Sequence, residues 1–137
     1  MVLSYFLSRK EPLSSKEVQD YFETKGFNRN VIRTVLTRLY RQGKLKRSPF
    51  KTIQGFVYSL PEHSNKIVEK LKQIVPPYVR NAVEIILSQR KIFTLNYLVE
   101  KTNGVCETME YYLDQVFCKQ LNWISYGYHG KSSPPNF

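Results

Sequence analysis

One segment, residues 29–42, restricts the fold more than any other. Projected at about 100° per residue, Val31, Val35, Leu39, Ile32 and Leu36 fall within an arc of about 140°. Arg29, Arg33, Thr37, Asn30, Arg41, Thr34 and Arg38 fill the opposite arc, with Tyr40 on the border. This is the pattern of a helix with one apolar face to bury and one cationic face to leave in water. Asn28 is placed to cap it and Gly43 to end it. The rest of the chain has to supply the core on which that apolar face lies.

What precedes the segment reads as two shorter helices. Val2, Leu3, Tyr5, Phe6 and Leu7 suit a buried helix over Val2–Arg9, stopped ahead of Pro12 because proline has no amide hydrogen. Ser14, with Glu17 three residues on, forms a capping box that opens a second helix. Val18, Tyr21 and Phe22 give it an apolar face, and Gly26 closes it. After Gly43, residues 45–47 read as a strand and 55–60 alternate as its returning partner, leaving 48–54 as a polar to basic tip. Three helices followed by a two-stranded hairpin, over residues 2–61, resembles the winged helix-turn-helix fold of many bacterial and archaeal repressors. The resemblance rests on order and pattern, since that fold has no fixed signature motif. It implies a double-stranded DNA-binding protein whose third helix enters the major groove and whose hairpin forms the wing.

Charge agrees with that expectation. The chain holds 21 Lys and Arg against 11 Asp and Glu, a formal net charge of +10, which favours polyanionic partners. Residues 1–62 carry twelve basic and five acidic side chains, whereas 63–137 carry nine and six. Between Glu23 and Glu62 there is no acid at all, yet Lys25, Arg29, Arg33, Arg38, Arg41, Lys44, Lys46, Arg47 and Lys51 lie there. A helix that serves only solubility gains from opposite charges four residues apart, and like charges there repel until an anion relieves them. On the geometry that the resemblance implies, Asn28, Arg29, Asn30, Arg33, Thr34 and Thr37 are the candidate base readers. Arginine and asparagine have the forks for guanine and adenine edges. Arg38, Arg41, Lys44, Lys46, Arg47 and Lys51 are the candidate backbone contacts, which set register and affinity without reading sequence. The competing reading is a basic surface with no partner.

From Ser64, the apolar positions Ile67, Val68, Leu71 and Ile74 form a helix that Pro76 and Pro77 break. It reads either as a connector between two units or as a dimerisation arm. Beyond the prolines the opening pattern returns after about 80 residues, a period long enough to describe a repeated domain. Val83, Ile85, Ile86 and Leu87 echo Leu3, Tyr5, Phe6 and Leu7, and Phe93 with Thr94 echoes Leu13 with Ser14. A further helix over 107–120 turns Met109, Tyr112, Leu113, Val116 and Phe117 inward, and 123–129 suits a shortened strand pair. The expected architecture is mainly α with small β wings, an α+β chain of two tandem winged-helix units of which the second is degenerate. Its parts are a DNA-binding domain over 1–62, a connecting helix and Pro-Pro linker over 63–77, and a second unit over 78–137. On the second unit's equivalent helix Glu107, Glu110 and Asp114 stand against Lys119, and acids repel phosphates. That unit is therefore expected to serve as an interface or packing platform. Tyr111, Tyr126, Tyr128 and Trp123 fit a protein interface and a small aromatic core equally well.

No phosphate-binding glycine loop, nucleophile elbow or HExxH string occurs, and no carboxylate pair is set apart for acid–base work, so no enzyme is expected. Cys106 and Cys118 make no metal spacing, and on one helix they would stand roughly 18 Å apart, beyond disulfide reach. They read as reduced, fairly buried residues. His63 and His129 have no ligand partners at metal spacing, so neither metal nor cofactor is expected. With no signal-peptide pattern and no run of about 18 apolar residues, the expected location is the cytoplasm, on the nucleoid in a prokaryote, and no membrane partner is expected. The expected partners are double-stranded DNA, a second copy of the chain in a homodimer, and a protein docked on the second unit. Two alternatives stay open, a tandem winged-helix protein-interaction adaptor and the recognition module of a larger nucleic-acid-processing assembly. The acid-free stretch favours DNA, because an adaptor has little reason to exclude every acid.

Overall fold

The structure, a computed structural model, describes residues 1–89 and 92–124. The chain divides into two compact units, Met1–Ile74 and Val75–Phe137. It is mainly helical, with a small three-stranded antiparallel sheet in the first unit.

The first unit opens with α1 (Val2–Arg9), which buries Val2 and Phe6. Then come β1 (Leu13–Ser14), α2 (Ser15–Glu23), α3 (Arg29–Arg41), β2 (Lys46–Arg47) and β3 (Val57–Ser59). The capping box of α2 is formed: the Glu17 amide donates to Ser14 Oγ at 3.1 Å and the Ser14 amide to Glu17 Oε1 at 3.0 Å. Asn28 caps α3 by accepting from the Asn30 amide at 2.8 Å. At the other end Gly43 turns left-handed, φ 76°, and donates to Tyr40 O at 3.0 Å while Lys44 donates to Leu39 O at 2.9 Å. That pair of bonds is a Schellman motif, which a side chain at Gly43 would strain.

The strand order is β1-β3-β2, with Leu13 opposite Tyr58, Ser14 opposite Val57, and Arg47 also opposite Tyr58. β1 adds a strand to the two expected. Two residues are too few to leave an alternating pattern, and their partners lie far along the chain. Ser48 is buried within this sheet region but satisfied, its Oγ accepting from the Val57 amide at 3.1 Å and donating to Phe50 O at 2.7 Å.

The core of this unit gathers Val2, Phe6, Leu13, Val18, Phe22, Ile32, Leu36, Leu45, Tyr58 and Leu60. From α3 only Ile32 and Leu36 are fully buried, and Val35 and Leu39 pack at the edge. Val31, expected in the apolar arc, is 53% exposed. A helix packed on one side needs an apolar stripe of only about 100°, so the outermost position of a wider arc is left in solvent.

After β3 a 3₁₀ turn (Pro61–Lys66) leads into α4 (Ile67–Ile74). Ile67 is buried, and Lys70 Nζ lies 2.7 Å from Glu17 Oε1 on α2. The boundary between units therefore falls after Ile74, where the sequence reading places a 63–77 connector.

The second unit consists of α5 (Pro77–Gln89), α6 (Leu95–Thr102) and α7 (Cys106–Tyr111), the last running on as a π-helical stretch, Tyr112–Gln120. Pro77 starts α5, where its missing amide hydrogen would have had no helical partner. Met109, Tyr112, Leu113, Val116 and Phe117 are buried as their spacing predicts, together with Val79, Ala82, Val83, Ile86 and Leu98. Cys106 is exposed, contrary to expectation, because it opens α7, and Cys118 is half-buried. Among the described residues this unit has no strand, and 125–129 of the expected 123–129 pair lie outside them. No helix of the described residues is long and apolar enough to cross a membrane.

Candidate nucleic-acid interface

With Ile32 and Leu36 turned into the core, the opposite side of α3 is left open. Asn30, Arg33, Thr34, Arg38 and Arg41 are exposed there and Thr37 is half-buried. Two shallow depressions run along this face. One of 490 Å³ is lined by Arg33, Thr34, Thr37, Arg38, Arg41 and Gln42. The other, of 390 Å³, is lined by Asn30, Val31, Thr34, Val35 and Arg38.

Arg33, Arg38, Arg41, Lys44 and Lys46 make no ion pair among the described residues. The reason is in the sequence, since the nearest acids along the chain are Glu23 and Glu62. Cations left without a carboxylate are those that gain most from charge-assisted bonds to an incoming anion. Thr34 and Thr37 give their hydroxyl hydrogens to Asn30 O at 2.9 Å and Arg33 O at 3.2 Å, one turn back. Each keeps acceptor lone pairs and a γ-methyl for whatever meets the helix.

Arg29, Asn28 and Arg47 are engaged within the fold. The Arg29 guanidinium hydrogen-bonds the Asp20 carboxylate and stands 3.5 Å from Glu23 Oε1, while Gln19 Nε2 donates to Arg29 O at 3.0 Å. The bond to Asp20 raises the Arg29 pKa, and the same bond, reinforced by Lys16, lowers that of Asp20. Arg29 thus ties the first turn of α3 to α2, and Asn28 spends its side-chain oxygen as the cap. The Arg47 guanidinium carbon lies 3.9 Å from the Tyr40 ring centroid and 4.0 Å from that of Phe56. Placed close to both rings, it links the end of α3 to the hairpin through cation–π contacts.

The chain between β2 and β3 doubles back tightly. Thr52 and Gly55 exchange both backbone bonds, each 2.9 Å, around Ile53 and Gln54. This tip is fastened to the start of α2: the Ser15 amide donates to Phe56 O at 2.8 Å, the Lys16 amide to Gln54 O at 3.0 Å, and Ser14 Oγ to Gln54 Oε1 at 2.9 Å. Gly55 is left-handed, φ 85°, and a Cβ on it would sit 2.8 Å from Ser15 Cβ. The tip is a fixed ledge, with Lys51 and Ile53 at its surface.

Sequence reasoning missed Val31, assigned to the core, and Gln42, which lies just past the helix but lines the larger depression. Exposure of Val31 follows from its place at the rim of the apolar arc, the one signal that marks it.

In the second unit Glu107 and Glu110 are exposed, and Asp114 Oδ2 lies 3.6 Å from Lys119 Nζ. Tyr97, Val105 and Trp123 are exposed, whereas Tyr126, Tyr128 and His129 lie outside the described residues. Among the described residues no group of three His, Cys, Asp or Glu side chains is placed to hold a metal ion. No protein-family model, curated protein or solved structure matches the chain, so its function rests on the chemistry of this surface.

Proposed function

We propose that the chain is a double-stranded DNA-binding protein, acting in transcriptional regulation, and that its first unit is a winged helix-turn-helix module. The observation that carries this reading is the open cationic face of Arg33, Arg38, Arg41, Lys44 and Lys46, with no acid between Glu23 and Glu62 to neutralise it. Three helices and a sheet whose last two strands form a hairpin support the winged-helix reading. In this arrangement α3 lies in the major groove, Asn30 and Arg33 meet base edges, and Arg38, Arg41, Lys44 and Lys46 meet phosphates. Arg29 acts one step back, by fixing the angle between α2 and α3. The second unit, read as a degenerate winged helix, carries acids on α7 and exposes Tyr97, Val105 and Trp123, which suits a platform for a protein or a second copy of the chain.

Titration of random-sequence duplex DNA against salt tests the proposal. Neutralising about five phosphates gives a log–log slope of roughly −4 to −5 per protomer. A slope near zero, or no complex at low salt, would refute DNA binding.

A further inference from the structure

Val31 belongs neither to the buried core of the first unit nor to the residues packed against its edge. It is 53% exposed, and a β-branched residue is a poorer helix former than the alanine, lysine or glutamate that an idle surface position accepts. It sits in the N-terminal half of α3, the half nearest base edges in the docking proposed above. Around it lies the 390 Å³ depression lined by Asn30, Val31, Thr34, Val35 and Arg38. Thr34, whose hydroxyl donates to Asn30 O at 2.9 Å, joins Val31 and Val35 in that lining and has a methyl to offer an apolar guest. Asn30 and Arg38 complete the lining.

Resting on the DNA-binding reading, we propose that this depression receives the C5-methyl of thymine, so that Val31, with Thr34, selects a T·A pair in the major groove. Of the four bases only thymine presents a methyl there. The cationic surroundings fit a nucleic-acid occupant, since the phosphates flanking that base meet Arg38 and Arg41, and Asp20 and Glu23, beside the start of α3, are paired with Arg29.

The test uses the full chain and two randomised duplex pools of one design, made with thymidine in one and deoxyuridine in the other, which lacks only the methyl. The site selected from the thymidine pool is expected to contain a thymine whose replacement by uracil weakens binding about fourfold, the worth of one buried methyl-sized group. Val31→Ala should bind the two forms of that site equally, while Arg38→Ala should weaken both by the same factor. The alanine at an exposed helical position leaves the core untouched. A selected site without thymine, equal binding of its thymine and uracil forms, or discrimination that survives Val31→Ala overturns the methyl site and leaves DNA binding standing. Failure to bind either pool overturns both.

Discussion

Arg29 and Arg33 stand one turn apart on α3, yet one is bound to Asp20 and the other is open to solvent. Replacing them should therefore have different consequences. Arg33→Ala is expected to relax base preference by roughly 10-fold or more, the range of one lost bidentate contact. Arg29→Ala should instead weaken all sequences alike and lower the melting temperature slightly, because it frees α3 from α2. Binding of each variant to a selected site and to a scrambled duplex, alongside thermal melts, checks both. Equal sequence-blind losses would mean that Arg33 does not read bases. A helical wheel places the two arginines in the same arc, since it knows angles and not neighbours. Asp20 and Glu23 approach Arg29 only after the turn through Gly26 has set the path of the chain, so this distinction was not legible in the sequence.

Among the elements, the helices were the legible part, because period and caps announce them locally: Ser14 with Glu17, and Asn28, cap as their residue types predict. β1 and the fastened hairpin tip were not, because both depend on pairings between residues about forty positions apart, where no local propensity operates. Gly55 measures that fastening. At Gly43 a Cβ meets nothing within 4 Å, so Gly43→Ala should cost only the left-handed backbone strain, about 1 kcal/mol. Gly55→Ala carries the same strain plus the clash with Ser15 and should cost about 2–3 kcal/mol. Urea unfolding of both variants compares them, and equal losses would show that the tip yields freely.

Helix α2 also carries a pH dependence. Burial pushes the Glu17 carboxyl up, but Lys70 and the Ser14 amide outweigh it and hold the pKa below its usual value. The unfolded chain then binds the proton more tightly than the folded one. Glu17 therefore contributes stability above the ordinary carboxylate pKa of about 4.3, and that contribution is lost as pH falls through the lower folded value. In denaturant midpoints measured from neutral to acid pH, Glu17→Gln should flatten this part of the acid limb. An unchanged limb would remove Glu17 from the account.

For the molecule as a whole, the sequence reads as 1–62, a 63–77 connector and 78–137, and the chain divides after Ile74, inside that connector. Pro76 and Pro77 are conspicuous breakers, whereas the attachment of α4 rests on Ile67 and on Lys70 reaching Glu17, more than fifty residues earlier. Residues 1–74 should accordingly fold and bind duplex DNA as well per protomer as the whole chain, while 1–62 should unfold more readily and 75–137 should bind little. Electrophoretic shifts, with sedimentation to separate lost contacts from a lost dimer, test this. Strong duplex binding by 75–137 would mean that the acids of α7 do not govern where DNA goes. The fastened tip of the β2–β3 hairpin has a kinetic consequence for any such encounter. Because the Thr52–Gly55 turn and its bonds to α2 are already made, duplex association is expected to need little ordering of the tip, and its rate is expected to follow diffusion and long-range charge attraction, rising steeply as salt falls.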